Sequence, residues 1–250
     1  MRSLATLAEK GKLKRRKYQD IEMAKVDLVA WEQTFRTKIG EIETPDPAHD
    51  LAHVERVVRT AKRLANIEGA QLEIVIPAAW LHDLAVTPKK YRDRPKLAAH
   101  SARAATEFLR ISGYPRTLIS GIHHCIVAHS FSAKIEPQTI EAKVVQDADR
   151  LDALGAIGIA RCFAVSSMLR QKFYDWEDPF AVCRQPDDRR FALDHFAVKL
   201  LRVSSTLHTA AARAEGQRRT AFLRTFLRQL KHEIGSRQSL SARRKRSETM

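Results

Sequence analysis

The sequence lacks several features that define whole classes of protein. None of its apolar runs approaches the ~20 residues that a membrane-spanning helix needs, so we expect no membrane insertion. The basic N-terminus is not followed by an apolar segment, and we therefore expect no secretory signal. Cysteine is scarce: Cys125, Cys162 and Cys183 include no Cys-x-x-Cys pair, which argues against a disulfide framework or a structural zinc site. We expect a cytoplasmic protein whose cysteines are small, buried apolar residues.

Strand-like alternation is also nearly absent, and no internal repeat occurs. The sequence instead shows helical periodicity in an apolar content of 44%. After Asp46 and Asp50, either of which can cap a helix, apolar residues recur at helical spacing. Further helices are predicted over residues 72–86, 96–111, 116–130, 139–170 (one helix or two), 190–204 and 206–233. These segments predict an all-α fold.

Positive charge is concentrated at the two ends of the chain. The formal net charge is +15, of which residues 1–20 contribute +5 and residues 236–250 contribute +4. We predict a basic N-terminal extension over residues 1–25, one domain over residues 26–235 and a disordered basic tail over residues 236–250. The termini are candidates for nucleic-acid binding, whereas the moderately basic domain suits an anionic substrate as well as a polynucleotide.

Four polar residues stand in apolar surroundings on predicted helices: His53, the adjacent His82 and Asp83, and Asp149. Taken singly, each has a structural explanation as a core histidine, a paired or exposed aspartate, or part of a solvated helix face. A buried charge is costly unless something pairs with it, and two imidazoles with two carboxylates suit a divalent cation. If the four side chains converge, the sequence predicts a metal site.

The segment that holds Asp149 contains further charged residues. On a helix, Asp147 and Asp149 cannot point the same way, and we interpret Asp152 as part of a solvated face. Arg150, directly after Asp149, would place a cation beside the metal, where a phosphate oxygen would meet it.

The ordered set of His, His-Asp and Asp resembles the HD (His-Asp) superfamily of metal-dependent phosphohydrolases. The resemblance is carried by Asp-x-x-His-x-x-Arg-Val at the first histidine and Ala-Asp-Arg-Leu at the last aspartate. The run from Ala128 to Ala133 and the segment from Asp147 to Arg161 resemble the YedJ-like branch. The likeness covers roughly residues 44–230 and leaves the two basic termini outside it.

This resemblance implies a fold, a ligand set and a chemistry. The fold would be an HD-domain helical bundle with additional C-terminal helices, and the metal ligands would be His53, His82, Asp83 and Asp149. The ion would be Mn²⁺, Mg²⁺, Fe, Co²⁺ or Ni²⁺, and less often Zn²⁺. The reaction would be hydrolysis of a small phosphorylated metabolite, above all a nucleotide.

The resemblance also implies a mechanism for such a site. A six-coordinate ion with four protein ligands would keep two positions for a water molecule and a phosphoryl oxygen. Asp83 or a nearby carboxylate would accept the proton, and Arg150 would meet the phosphate. We name no dedicated general base, because residues 84–90 after the His-Asp pair contain no glutamate.

Some HD enzymes carry two more histidines between the His-Asp pair and the final aspartate, which bind a second metal ion. In this interval the candidates are His100, His124 and His129. For each of the three taken alone, a structural or substrate-pocket role is favoured over metal binding. For His129, substrate binding is the second role that we consider.

A cationic stretch follows the His-Asp pair. As a group, the cationic side chains of this stretch suggest that it binds a substrate phosphate next to the metal site. The substrate-binding candidates are Lys89, Arg94 and Lys96. The alternative is a solvated loop, which is the usual outcome for a single exposed cation.

Other functions are compatible with the same residues. The main alternative is a nucleic-acid-binding or regulatory helical protein that keeps a structural metal in the His-Asp site. Hydrolysis of an alarmone or a cyclic dinucleotide ranks lower, because the chain has neither the extra domains of the alarmone enzymes nor a His-Asp-Gly-Tyr-Pro-type extension.

Overall fold

The computed structural model describes residues 26–42, 50–85, 94–130 and 133–235, with only the backbone at residues 94 and 95. Its helices, in chain order, are α1 (Leu28–Gly40), α2 (Leu51–Glu68), α3 (Leu72–Leu81), α4 (Arg94–Ile111), α5 (Arg116–His129), α6 (Ile140–Asp152), α7 (Gly155–Met168), α8 (Leu201–Val203) and α9 (Ala210–Ile234). Within these residues the only β-pairing is one isolated bridge between Lys172 and Phe191. The predicted all-α class is confirmed.

Several predictions fall outside the described residues. They concern the basic segments 1–25 and 236–250, Lys89, and the side chain of Arg94. The division into an extension, a domain and a tail therefore stays a prediction.

Helix α2 carries the first histidine, and its boundaries follow from local chemistry. The Asp50 side chain caps the helix by accepting a hydrogen bond from the backbone N–H of His53 at 2.8 Å. Gly69, with φ of 71°, ends the helix in the left-handed conformation that glycine adopts without strain. One face of the helix is buried, and it includes His53, Val54 and Val57. His53 therefore points into the protein from the first turn.

Helix α3 is shorter than the predicted segment 72–86, because it ends at Leu81. Pro77 lies inside it and has no N–H to offer the carbonyl of Glu73 one turn earlier. The hydroxyl of Tyr114 donates to that carbonyl at 2.6 Å instead, which satisfies the acceptor. His82 and Asp83 therefore lie in the turn after the helix, which corrects the helical position that we expected for the pair.

Helix α6 brings the last aspartate to the same place, since it packs against α2, α3 and α5. The predicted segment 139–170 is two helices, α6 and α7, which meet at an angle of 67°. Gly158 lies against this bend, because a Cβ atom at that position would be 2.2 Å from the carbonyl oxygen of Ala153. Gly155, with φ of 72°, begins α7.

The C-terminal part of the domain adds helices to this core, in agreement with the prediction of additional C-terminal helices. The predicted helix 190–204 is confirmed from residue 194 onwards as one continuous but irregular helical stretch, which includes a π-helical turn, Phe196–Leu200, then α8 and a 3-10 turn, Ser204–Thr206. Helix α9 starts after Thr209, whose hydroxyl caps it by accepting from Ala212. It packs against α7 and α6.

Asp147 attaches the start of α9 to α6. Its buried carboxylate accepts hydrogen bonds from the backbone of His208 at 2.9 Å and from both the backbone and the hydroxyl of Thr209 at 2.8 Å. As expected, Asp147 and Asp149 point in different directions. The structure assigns Asp147 to the packing of α9.

We predict that Asp147→Asn lowers the free energy of unfolding by about 2 kcal/mol, because an amide replaces a charged acceptor of several buried donors. Urea denaturation measures the effect. Metal content should be unchanged, and a variant as stable as the parent protein would contradict this assignment.

The structure also bears on the expected burial of the cysteines and on the expected absence of membrane-spanning helices. Cys125 and Cys162 are buried as expected, but Cys183 is exposed, so the prediction was wrong for that residue. In the described part of the chain, no single helix is long and apolar enough to span a membrane, although the bent pair α6–α7 meets the criterion of length and composition.

Candidate metal centre

The predicted ligands converge from separate elements. His53 Nε2 lies 3.6 Å from Asp149 Oδ1 and 3.9 Å from Asp83 Oδ2. His82 Nε2 lies 3.3 Å from Asp83 Oδ2. His129, the last residue of α5, places its Nε2 3.6 Å from Asp83 Oδ1. Tertiary packing thus brings together residues that are almost 100 positions apart in the chain.

These side chains form two overlapping groups of potential ligand atoms. One group consists of His53, His82 and Asp149, and the other of His82, Asp83 and His129; within each, the ligand atoms lie within 4.8 Å of one another. Because His82 belongs to both, the groups form a single cluster.

Each histidine of the cluster is oriented through its Nδ1 atom. The Nδ1 of His82 lies 2.8 Å from the carbonyl of Ala79, and that of His129 lies 2.6 Å from the carbonyl of Ile126. The Nδ1 of His53 lies 2.7 Å from Asp152 Oδ2. Since all these partners are acceptors, each Nδ1 donates, and each ring turns its Nε2 towards the cluster.

Burial divides the cluster into a closed and an open side. The side chains of His53 and His82 are 0% exposed, whereas those of Asp83 and Asp149 are 33% and 29% exposed. The carboxylates therefore form the side that water and small molecules can reach.

The charges of the cluster act strongly on one another. Burial alone would lower the pKa of His82, but the charges of Asp83 and Asp149 outweigh it and raise that pKa to about 9. Burial alone would raise the pKa of both carboxyls, yet the imidazoles, above all His82, hold each below its usual range. A proton on His82 thus compensates the two carboxylates at neutral pH.

The donor set fits a divalent cation. His82 Nε2 is buried and has no hydrogen-bond partner of acceptable geometry, although such atoms are normally satisfied. Imidazole nitrogens with carboxylate oxygens suit first-row divalent metals. Helices α3 and α5 both end at the cluster, and the C-terminal end of a helix dipole favours a positive charge.

A cavity of about 500 Å³ is lined by two residues that follow cluster residues in the sequence, but by none of the cluster residues themselves. Its lining includes Ser130, which follows His129, and Arg150, which follows Asp149. The Arg150 guanidinium donates to the carbonyl of Thr206, which also lines the cavity. The lining thus combines a cation with hydroxyl groups.

The structure does not bring His100 or His124 into the cluster. His100 is exposed, and its Nδ1 accepts a hydrogen bond from Arg103 at 3.0 Å. His124 Nε2 accepts from the backbone N–H of Gln138 at 3.0 Å. The geometry therefore gives no support to these two as ligands of a second ion. Lys96 is exposed on α4.

Sequence reasoning missed one residue of this region. Asp152 was expected on a solvated face but is buried, with 4% of its surface exposed. It binds His53, Arg56 and Arg161, and these contacts hold its pKa well below the usual range in spite of burial. The available signal was the spacing of Asp152, one helical turn after Asp149.

Comparison with known proteins identifies the class to which this site belongs. The HD domain family model matches residues 50–154, which include all four predicted ligands. The Bacillus subtilis (strain 168) protein YpgQ is 34% identical over 207 residues, which cover 81% of this chain and 93% of YpgQ. The chain therefore belongs to the HD-domain family, as the sequence motifs predicted.

Solved structures agree with this assignment. The crystal structure of Bacillus subtilis YpgQ in complex with ADP has a TM-score of 0.65 and 32% identity, and covers 82% of this chain and 98% of YpgQ. An HD-superfamily hydrolase from Bacillus thuringiensis has a TM-score of 0.64 and 30% identity, and covers 83% of this chain and 98% of its own. The helical HD-domain bundle is thus confirmed, while the YedJ-like branch stays a prediction.

Proposed function

We propose that this protein is a metal-dependent phosphohydrolase that acts on a small phosphorylated metabolite, and specifically on a nucleotide. The observation that carries the proposal is the convergence of His53, His82, Asp83 and Asp149 around the buried Nε2 atom of His82. In this proposal the four residues hold one divalent cation of the series Mn²⁺, Mg²⁺, Fe, Co²⁺ and Ni²⁺. The cation would lower the pKa of a coordinated water molecule and neutralise charge at the phosphoryl group.

The protein's own groups would share the remaining work. Asp83 is one third exposed, and on the open side of the cluster it is our candidate for accepting a proton. His129 faces the other oxygen of Asp83 and is our candidate for contact with the substrate. If a second cation binds, the group of His82, Asp83 and His129 is the place for it. Arg150 would bind a phosphate oxygen from the cavity side.

Two observations favour a nucleotide as the substrate. The cavity of about 500 Å³ lies in the range of roughly 300–1,000 Å³ that small-molecule sites occupy, and it approaches the cluster through Ser130 and Arg150, although none of the four proposed ligands lines it. YpgQ, a relative that matches most of this chain, was crystallised with ADP. Capture of the phosphates by Lys89, Arg94 and Lys96 remains part of the proposal. Nucleic-acid binding by the basic termini stays a separate prediction.

The test is a panel of nucleoside mono-, di- and triphosphates and sugar phosphates, each assayed with Mn²⁺, Mg²⁺, Co²⁺ and Ni²⁺. We expect release of phosphate or pyrophosphate from at least one nucleotide, complete loss with a chelator, and recovery when the metal is restored. A folded, metal-loaded protein that hydrolyses none of these compounds would refute the proposal. Activity on sugar phosphates alone would refute only the proposal that the substrate is a nucleotide.

A further inference from the structure

A buried network of charged groups surrounds Asp152, outside the ligand set. Asp152 Oδ2 lies 2.7 Å from His53 Nδ1 and accepts from Arg161 at 2.7 Å. Arg56 donates to both oxygens, through Nε at 2.8 Å and through a terminal nitrogen at 3.1 Å. The network joins α2, α6 and α7, and the proposed chemistry does not use Asp152, Arg56 or Arg161.

The contact with Asp152 decides which nitrogen of His53 carries the ring proton. An ionised carboxylate can only accept hydrogen bonds, so the Nδ1 of His53 must donate. In the neutral ring the lone pair is then on Nε2, which lies 3.6 Å from Asp149 Oδ1. This is the arrangement that a histidine needs if Nε2 is to bind a metal.

The two arginines hold the carboxylate in place. One hydrogen bond alone would let the carboxylate rotate, whereas the paired contacts of Arg56 define its plane. Arg161 adds a second cation, so the buried charge of Asp152 is compensated without the histidine. The side chains of Arg56 and Arg161 are 26% and 16% exposed, which limits screening by solvent.

Asp152 also links two of the proposed ligands. It lies in the last turn of α6, three positions after Asp149, and contacts the first turn of α2 at His53. Any shift of one helix against the other changes this contact. The spacing between the His53 ring and the Asp149 carboxylate therefore depends on it.

We propose that Asp152, held by Arg56 and Arg161, is the positioning residue that orients the His53 ring for metal binding. It acts through His53 and does not touch the cation or the substrate. The inference deepens the proposed function and rests on the metal centre that it assumes.

The test compares Asp152→Asn with Asp194→Asn by titration with Mn²⁺ in competition with a chelator. Asp194 is a matched control, because it is a buried aspartate that accepts from an arginine, Arg184, at 2.9 Å and contacts none of the proposed ligands. We expect Asp152→Asn to weaken Mn²⁺ binding roughly 10–100-fold and Asp194→Asn to leave it within about twofold. Saturating Mn²⁺ should restore much of the turnover of Asp152→Asn, since positioning affects metal occupancy first.

The outcomes separate the two proposals. Parent protein that binds none of Mn²⁺, Mg²⁺, Co²⁺ and Ni²⁺ would overturn both the metal centre and the role of Asp152, and if it binds one of the other ions instead of Mn²⁺, the titration is made with that ion. Parent protein that binds Mn²⁺, together with an Asp152→Asn variant of equal affinity, would overturn the positioning role alone. If Asp152→Asn does not fold, ¹⁵N NMR of the histidines in the metal-free parent protein decides, with the His53 signal assigned through His53→Gln. A proton on Nδ1 of His53 supports the proposal, and a neutral ring protonated only on Nε2 overturns it.

Discussion

Asp149→Asn is expected to lose its divalent metal on dialysis and about 10³-fold of its phosphohydrolase turnover. Asp149 Oδ1 faces His53 Nε2 at 3.6 Å, and its charge stabilises the buried cluster. An amide of the same size keeps the shape but removes the anionic ligand. A loss of roughly 4 kcal/mol of charge stabilisation corresponds to that change in rate. Metal analysis after dialysis and kcat/KM on the best nucleotide measure the two effects.

The control for this prediction is the neighbouring variant Asp147→Asn. Both substitutions remove one negative charge from α6, but the Asp147 carboxylate accepts from His208 and Thr209 and is not among the proposed ligands. We therefore expect Asp147→Asn to be less stable yet metal-loaded and active below its melting temperature. The ligand assignment fails if Asp149→Asn retains full metal content and turnover, or if the two variants behave alike.

The affinity for the metal should rise steeply with pH. His82, with a pKa of about 9, is protonated at pH 7 in the metal-free protein, and a cation must displace that proton. The pKa values of Asp83 and Asp149 are lowered and that of His53 is lowered too, so none of these gains or loses a proton between pH 7 and 9. Affinity should increase about tenfold per pH unit well below this pKa, by about 50-fold in all from pH 7 to 9, and should level off above it.

Competition with a chelator whose own protonation is known measures this slope at constant ionic strength. Calorimetry in buffers of different ionisation enthalpy should show the release of about one proton at pH 7. His232→Gln, which alters an exposed histidine on α9, should give the same profile as the parent protein. Affinity that is constant from pH 7 to 9 would show that His82 is neutral before the metal binds.

The order and types of the candidate ligands were readable from the sequence, because His53, His82, Asp83 and Asp149 interrupt apolar segments that fold predictably into helices. The position of the His-Asp pair was not. Helix α3 ends at Leu81, and His82 takes up the carbonyl of Ala79 that the helix leaves unpaired. The helical spacing of apolar residues continues past Leu81, so the sequence pattern does not show that the helix ends there.

The outer residues of the site depended on three-dimensional packing. Among the histidines that follow the His-Asp pair, His129 meets the cluster because α5 ends there, whereas His100 and His124 bind Arg103 and Gln138. Asp152 looked like a surface residue because its two arginine partners come from other helices. A charged residue is buried only where its partners meet it, and local sequence does not contain that information.

Local sequence was therefore sufficient for the helical class, the HD-domain assignment and the choice of candidate ligands, since periodicity and motif spacing are properties of short segments. Only the packing of α2, α3, α5 and α6 decided which nitrogen atoms face the carboxylates, which side of the cluster is open and which buried aspartate contacts His53. Those features arise from contacts between residues almost 100 positions apart, such as His53 and Asp152 at 2.7 Å. Their geometry is set when the helices pack.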